Sequence, residues 1–220
     1  MKNITIIYMD DEKYILKIIT LGDANSGKTL LCNRICNSAP DRGYMPTIGV
    51  EFSSTDLVIN DLNIKLQLWD TAGQECFAPI VRSYYKNIVG IFFMIDLTSQ
   101  KSIKNIDFWL EEFNLNRILD CETIILALGN KIDCNDRVIS HKEISDIFKK
   151  KNIDYMEISA KNKNNVENAK LFLIHKILNT FDIDNHPGIR KRDLSKSIII
   201  KRRDSCSYLY DESPNCCTIN

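Results

Sequence analysis

The 220-residue chain has no excess of either charge: 29 Lys and Arg stand against 29 Asp and Glu. That balance argues against a nucleic-acid binder working by bulk charge and leaves room only for a local patch. No apolar run approaches the roughly 18 residues that a membrane span needs. The longest, Ile88 to Ile95, is interrupted by Gly90 and suits a buried strand. The opening residues, MKNITIIYMDDE, hold no apolar core followed by a small-residue cleavage site, so a secretory signal is not expected. Reduced thiols are then the default for the eight cysteines. These contain no pair of C-x-x-C units, which argues against zinc. No internal repeat is present. What the chain does have is a 44% hydrophobic content, enough for a core and against wholesale disorder.

Apolar patterning alternates between strand and helix. Tyr14 to Leu21 reads as a β-rich run, followed by a glycine loop and then LLCNRI at helical spacing. Phe52 to Ile59 and Asn63 to Trp69 alternate apolar and polar around Asn60-Asp61, the pattern of an antiparallel hairpin. Ile88 to Asp96 and Thr123 to Gly129 are solid apolar runs, as strands covered on both faces should be. Ser102 to Leu119 predicts one amphipathic helix. Ser140 to Lys150 predicts another, with Ser140 and Glu143 spaced as a capping box. Ile153 to Ile158 reads as a strand and Asn165 to Phe181 as the last helix. The class is α/β, a mostly parallel central sheet covered by helices on both faces. Ligands on such sheets bind at the carboxyl ends of the strands. The expected domain spans residues 14–181, after an N-terminal extension of 1–13. The pattern stops at Asp182, so residues 182–220 are expected to form a flexible tail.

Four motifs fall at predicted strand ends. Gly22-Asp23-Ala24-Asn25-Ser26-Gly27-Lys28-Thr29 matches G-x-x-x-x-G-K-[ST] between a strand and a helix. Such a loop turns backbone N–H groups toward phosphates, backed by the helix dipole. Lys28 would neutralise the β and γ phosphates and the Thr29 hydroxyl would bind Mg²⁺. Asp70 ends the Asn63–Trp69 strand, where a carboxylate can hold Mg²⁺ through water; taken alone, it could also cap the next helix. Gly73 would sense the γ-phosphate, and Gln74 would orient an attacking water. Asn130-Lys131-Ile132-Asp133 and Ser159-Ala160-Lys161 follow two further strands. One carboxylate can accept both N1–H and N2–H of guanine, a donor pair that adenine lacks, so Asp133 selects guanine. The Lys131 stem can lie over the base with its ammonium in solvent, and the Ala160 N–H can donate to O6.

With these residues in place, the sequence resembles the Ras superfamily of small GTPases, and within it the Rab family, over roughly Tyr14 to Phe181. The Rab character rests on Tyr44-Met45-Pro46-Thr47-Ile48-Gly49-Val50-Glu51-Phe52, on KLQLWDTAGQE (Lys65 to Glu75), and on Val81-Arg82-Ser83-Tyr84-Tyr85. The resemblance implies a single P-loop NTPase domain that binds GTP or GDP with Mg²⁺ and hydrolyses GTP as a switch in vesicle traffic. It implies nucleotide contacts from Tyr44 and Thr47, with Thr47 as the switch I metal ligand. Thr29, Thr47 and Asp70 become the metal set and Gln74 the catalytic residue. It implies an effector-reading aromatic triad of Phe52, Trp69 and Tyr84. The implied partners are effectors, an exchange factor, a GAP, a GDP-dissociation inhibitor and the prenylation machinery. The implied location is the cytoplasmic face of intracellular membranes, with a soluble pool.

Four features depart from the family pattern. Pro40 stands where an aromatic usually packs against the guanine edge, which predicts faster nucleotide release. Asn25 replaces a frequent loop glycine, and Asn tolerates positive φ better than most residues. Ala24 replaces a frequent Ser. Cys76-Phe77-Ala78-Pro79 lacks two usual arginines and alters the charge that regulators would meet. Together they keep open a second reading, a prenylated nucleotide-binding scaffold with little intrinsic hydrolysis. Cys216 and Cys217 near the end of the chain resemble a Rab prenylation site. Two lipid chains anchor stably where one does not. Seven basic residues against one acidic between Arg190 and Arg203 suit an anionic leaflet.

Overall fold

A computed structural model describes residues 5–7, 13–37, 47, 49–73, 82, 84–117, 122–192, 198–201 and 207–210. Strand β1 (Thr5–Ile7) precedes the main domain. The domain opens with β2 (Lys13–Leu21) and helix α1 (Lys28–Ile35). The strands β3 (Val50–Ile59), β4 (Leu62–Thr71) and β5 (Gly90–Asp96) follow. Next come α2 (Gln100–Lys104), α3 (Ile106–Asn116), β6 (Ile124–Asn130) and α4 (His141–Lys150). Strand β7 (Asp154–Glu157), helix α5 (Val166–Thr180) and β8 (Arg190–Arg192) complete it.

The main sheet runs β3-β4-β2-β5-β6-β7. Along this path all pairs are parallel except β3 with β4. That pair is the expected hairpin. Ile59 faces Leu62 across Asn60 and Asp61, whose φ angles of 50° and 62° give the left-handed pair that a tight right-twisted hairpin requires. Strand β5 is buried along its whole length, as its unbroken apolar run predicts. Two apolar layers flank the sheet. One packs α1 and α5 through Leu31, Ile35, Leu173 and Ile177 onto Ile18, Leu68 and Phe92. The other packs α3 and α4 through Trp109, Phe113, Ile144 and Phe148 onto Ile19, Ile91 and Phe93. The capping box of α4 is formed: Ser140 Oγ accepts from the Glu143 N–H, and the Glu143 carboxylate accepts from the Ser140 N–H.

Two expectations differ from the structure. The helix expected over residues 102–119 is two helices that meet at Asn105, where φ is −85° and ψ is 1°. The backbone bonds continue through it, from Asn105 N–H to the Lys101 carbonyl at 3.0 Å and from Trp109 N–H to the Asn105 carbonyl at 3.1 Å, while its side chain donates to Asp23. Residues 182–192, expected in the tail, pack on the domain. Tyr14 donates to Asp184 at 2.9 Å, His186 stacks on Phe181 at 4.2 Å, and Ile189 is buried. Strand β8 pairs antiparallel with Lys13–Ile15 of β2. It fills the stretch of that edge below the start of β5, whose pairing with β2 begins at Ile18. Farther along, β9 (Ile198–Lys201) pairs antiparallel with both β1 and β10 (Ser207–Tyr210). Among the described residues, no helix is long and apolar enough to cross a membrane.

Candidate nucleotide site

The loop between β2 and α1 is shaped by backbone that few residues adopt. Gly22 has φ 130°, and a Cβ there would sit 2.2 Å from the Met94 carbonyl oxygen. Gly27 has φ 98°, and its Cβ would sit 2.2 Å from Asn130 Nδ2. Asn25 has φ 63°, a left-handed conformation that Asn takes more easily than most side chains. Gly27 caps α1 with no side-chain bond, and no acidic residue occupies the first turn. The helix therefore begins with backbone N–H groups and no competing carboxylate, the arrangement that attracts an anion.

Lys28 is buried, and its Nζ donates to the carbonyls of Gly22 at 2.9 Å and Asp23 at 2.7 Å. Burial lowers its pKa to about 8, against the opposing pull of Asp70 and Asp23. An ammonium has three donors, and two carbonyls leave the third for a ligand. Ser26 is fully buried and its hydroxyl has no protein partner, an orphan that a polar ligand in the loop would satisfy.

Three oxygens converge beside this loop. Thr29 donates to Asp70 Oδ2 at 2.6 Å, Thr47 donates to the same atom at 3.1 Å, and the two hydroxyls are 3.0 Å apart. Thr20 holds the other carboxylate oxygen at 3.1 Å, which fixes Asp70 at the end of β4. Gly73 then crosses the loop: its carbonyl accepts from the Ala24 N–H at 2.7 Å. A Cβ at Gly73 would lie 2.3 Å from Lys28 Nζ, so a side chain there would fill the space beside the ammonium.

The two motifs expected to select the base interlock. Asn130 donates to the Ser26 carbonyl at 2.8 Å and accepts from the Ala160 N–H at 3.0 Å, joining three loops through one amide. That N–H, expected to meet guanine O6, thus donates to Asn130. Ser159 donates to Asp133 at 2.5 Å, and this bond is the main cause that lowers the Asp133 pKa and keeps it an acceptor. Lys131, with φ 72°, forms an ion pair with Asp96 at 2.6 Å, so its ammonium is partnered rather than free in solvent. Lys161 is exposed, and Arg34 from α1 donates to the Ala160 carbonyl at 3.2 Å.

The three aromatics form a continuous edge on β3, β4 and the segment after residue 81. Phe52 meets Trp69 edge-on at 5.0 Å, and Trp69 meets Tyr84 at 5.2 Å. Phe52 is 51% exposed, which is unlike a core residue. Sequence reading missed the residues behind this edge and behind the loop. Lys17 lies beneath Trp69, and its only signal was a lone charge within an apolar strand. Asp23 occupied an unspecified motif position, and Trp109 read as ordinary core. Tyr44, Gln74, Cys216 and Cys217 lie outside the described residues, as do Pro40 and residues 76–79.

A phosphate loop at a parallel strand end, facing a Thr-Thr-Asp oxygen cluster and joined to the Asn130–Asp133 and Ser159–Lys161 loops, is the layout of a P-loop guanine-nucleotide-binding protein. The family model for the Ras family matches residues 17–179, and the chain belongs to that family. Its relatives place it among the Rab-like small GTPases. It is 38% identical over 161 residues to the Ras-related protein RABA1h of Arabidopsis thaliana, covering 73% of each chain. It is 38% identical to the Ras-related protein Rab-1 of Theileria parva, again over 73% of each. It is 41% identical to the Ras-related protein Rab-42 of Mus musculus, over 71% of this chain and 74% of that one.

Proposed function

We propose that this Rab-like GTPase works as a Mg²⁺-dependent switch in vesicle traffic, with the residues described above carrying both nucleotide and metal. The observation that carries the reading is the meeting of Thr29, Thr47 and Asp70 within 3.1 Å, next to Lys28 and the orphaned Ser26 hydroxyl. Three oxygens, one of them a carboxylate, are the donor chemistry a hard divalent cation takes. Mg²⁺ held there would neutralise charge on the phosphate oxygens. Lys28 would bind the β and γ phosphates, and the α1 N–H groups would bind the phosphate nearest the loop. Asp133 would accept from the guanine edge, kept ionised by Ser159. Thr47 and Gly73 sit on separate segments that both reach the loop, so a γ-phosphate would draw them together and hydrolysis would release them. Gln74 would orient the attacking water.

The membrane part of the reading rests on Cys216 and Cys217 as geranylgeranylation sites and on the basic run from Arg190 to Arg203. Each basic residue near an anionic leaflet contributes about 1 kcal/mol. Effectors would read Phe52, Trp69 and Tyr84. An exchange factor, a GAP and a GDP-dissociation inhibitor would complete the cycle.

The test begins with the nucleotide that co-purifies with the protein in Mg²⁺ and with its release into excess unlabelled GDP. Bound guanine nucleotide is expected, leaving faster than from a Pro40→Phe variant. An empty site that takes up neither GDP nor GTP would overturn the reading. Single-turnover hydrolysis of bound GTP then separates switch from scaffold: the wild-type rate should exceed that of Gln74→Leu. Equal rates would favour the scaffold.

A further inference from the structure

Asp23 places a carboxylate inside the phosphate-binding loop. Its carboxylate repels the phosphates that the loop would hold, yet it is 93% buried, at 7% exposure. Its partners explain it. Trp109 Nε1 donates to Oδ1 at 2.6 Å, and Asn105 Nδ2 lies 3.0 and 3.1 Å from the two oxygens. Asn105 joins α2 to α3 and Trp109 lies in the first turn of α3, both more than 80 residues away in sequence. Neither carries a positive charge, so they tie the carboxylate down without cancelling it. Through its backbone the same residue accepts from Lys28 at 2.7 Å and from the Ser26 N–H at 3.3 Å. One residue thus joins the phosphate-binding lysine to the helix pair.

We propose that Asp23 is a positioning residue that moors the phosphate loop to Trp109 and Asn105, and that this mooring sets how long the nucleotide is held. The proposal rests on the nucleotide-site reading above. Trp109 is itself fixed: it is 3% exposed within the layer formed by Ile106, Leu110 and Phe113. Asn105 and Trp109 stand one helical turn apart, with the Trp109 N–H donating to the Asn105 carbonyl at 3.1 Å, so both side chains reach Asp23 from one face. Charge-assisted hydrogen bonds are about twice as strong as neutral ones, so losing one should show plainly in nucleotide release.

The experiment times the release of fluorescent GDP from the full-length protein in Mg²⁺. Simple electrostatics and the mooring predict opposite signs for Asp23→Asn. If the carboxylate only adds negative charge near the phosphates, removing it slows release. If it moors the loop, the new amide replaces charge-assisted bonds with weaker neutral ones, and release quickens by roughly 10-fold. Trp109→Phe keeps the ring bulk and should also quicken release. Combining Asp23→Asn with Asn105→Asp restores complementarity, because the amide introduced at 23 then donates to the carboxylate introduced at 105. Release should return to within roughly threefold of wild type, a rescue that general loosening of the fold would not produce. The preference for GDP over inosine diphosphate should stay unchanged throughout, since Asp133 reads the base. Slower or unchanged release from Asp23→Asn, or no rescue by the paired change, would overturn the mooring while leaving the nucleotide site intact. A wild-type protein that retains no GDP would instead overturn the site itself, and the mooring with it.

Discussion

The Lys17 ammonium lies 4.8 Å from the centre of the Trp69 ring and donates to the Tyr84 carbonyl at 2.7 Å. A second bond, to the Lys86 carbonyl at 2.9 Å, completes its grip on that segment. A single cation on β2 thereby sets the spacing of two members of the aromatic edge. Burial, with the nearby Arg190 charge, lowers its pKa to about 8. Lys17→Met should destabilise the domain by about 1–2 kcal/mol through the lost charge-assisted bonds. It should blue- or red-shift Trp69 emission in a Trp109→Phe background and leave GDP affinity unchanged. In that background emission should also titrate near pH 8. The folded state depresses this pKa, so the desolvation cost is present below pH 8 and is relieved as pH rises toward 10.5, the unfolded value. An emission flat from pH 6 to 10 would contradict the arrangement.

Gly22→Ala should be among the most damaging changes in the loop. The added Cβ would meet the Met94 carbonyl oxygen at 2.2 Å, and φ 130° is already strained for any L side chain. A loss of about 2–4 kcal/mol is expected from thermal melts, together with loss of GDP binding. Gly49→Ala is the matched control, because its φ is also positive, at 78°, with no atom within 4 Å of an added Cβ. It should show the backbone cost without the clash.

Asp133→Asn should change which purine is bound. The carboxylate accepts two guanine donors, whereas an amide accepts one and donates one. Xanthine presents N1–H beside a C2 carbonyl and matches the amide. Competition binding should show GDP weakened by at least about 10-fold and xanthosine diphosphate strengthened. Unchanged GDP affinity would remove Asp133 from the base contact.

Acid stability should depend on Glu157. Burial alone would raise its pKa, but Arg137, His141 and Tyr155 all donate to it and hold it down to about 2. The folded pKa is depressed from 4.5, so the stabilisation is present above pH 4.5 and is lost as pH falls toward 2. Allowing for solvent screening, about 2 kcal/mol is involved. Urea melts of Glu157→Gln should show that loss at pH 7 and a flatter profile between pH 4.5 and 2. Parallel profiles for variant and wild type would refute this.

The parts legible in the sequence were those encoded by short-range spacing. The phosphate loop, the Asn60-Asp61 hairpin and the Ser140 capping box each lie within a few residues, and each stands where its pattern placed it. What escaped was built from distant partners. The Asn105 side chain is committed to a carboxylate 82 residues earlier. Residues 182–192 carry no hydrophobic period and are held by contacts such as Tyr14 to Asp184, 170 residues apart. Lys131 looked free for solvent because nothing local announced Asp96, 35 residues before it.

Strand β8 runs antiparallel to β2, with Arg192 beside Lys13, so the chain heads away from the pole that carries Gly22 and Lys28. Nine residues of β2 separate those poles by roughly 30 Å. The 24 peptide steps from Arg192 to Cys216 reach at most about 80 Å. If Cys216 and Cys217 carry the lipids proposed above, the tether would leave the domain from the pole opposite Gly22 and Lys28.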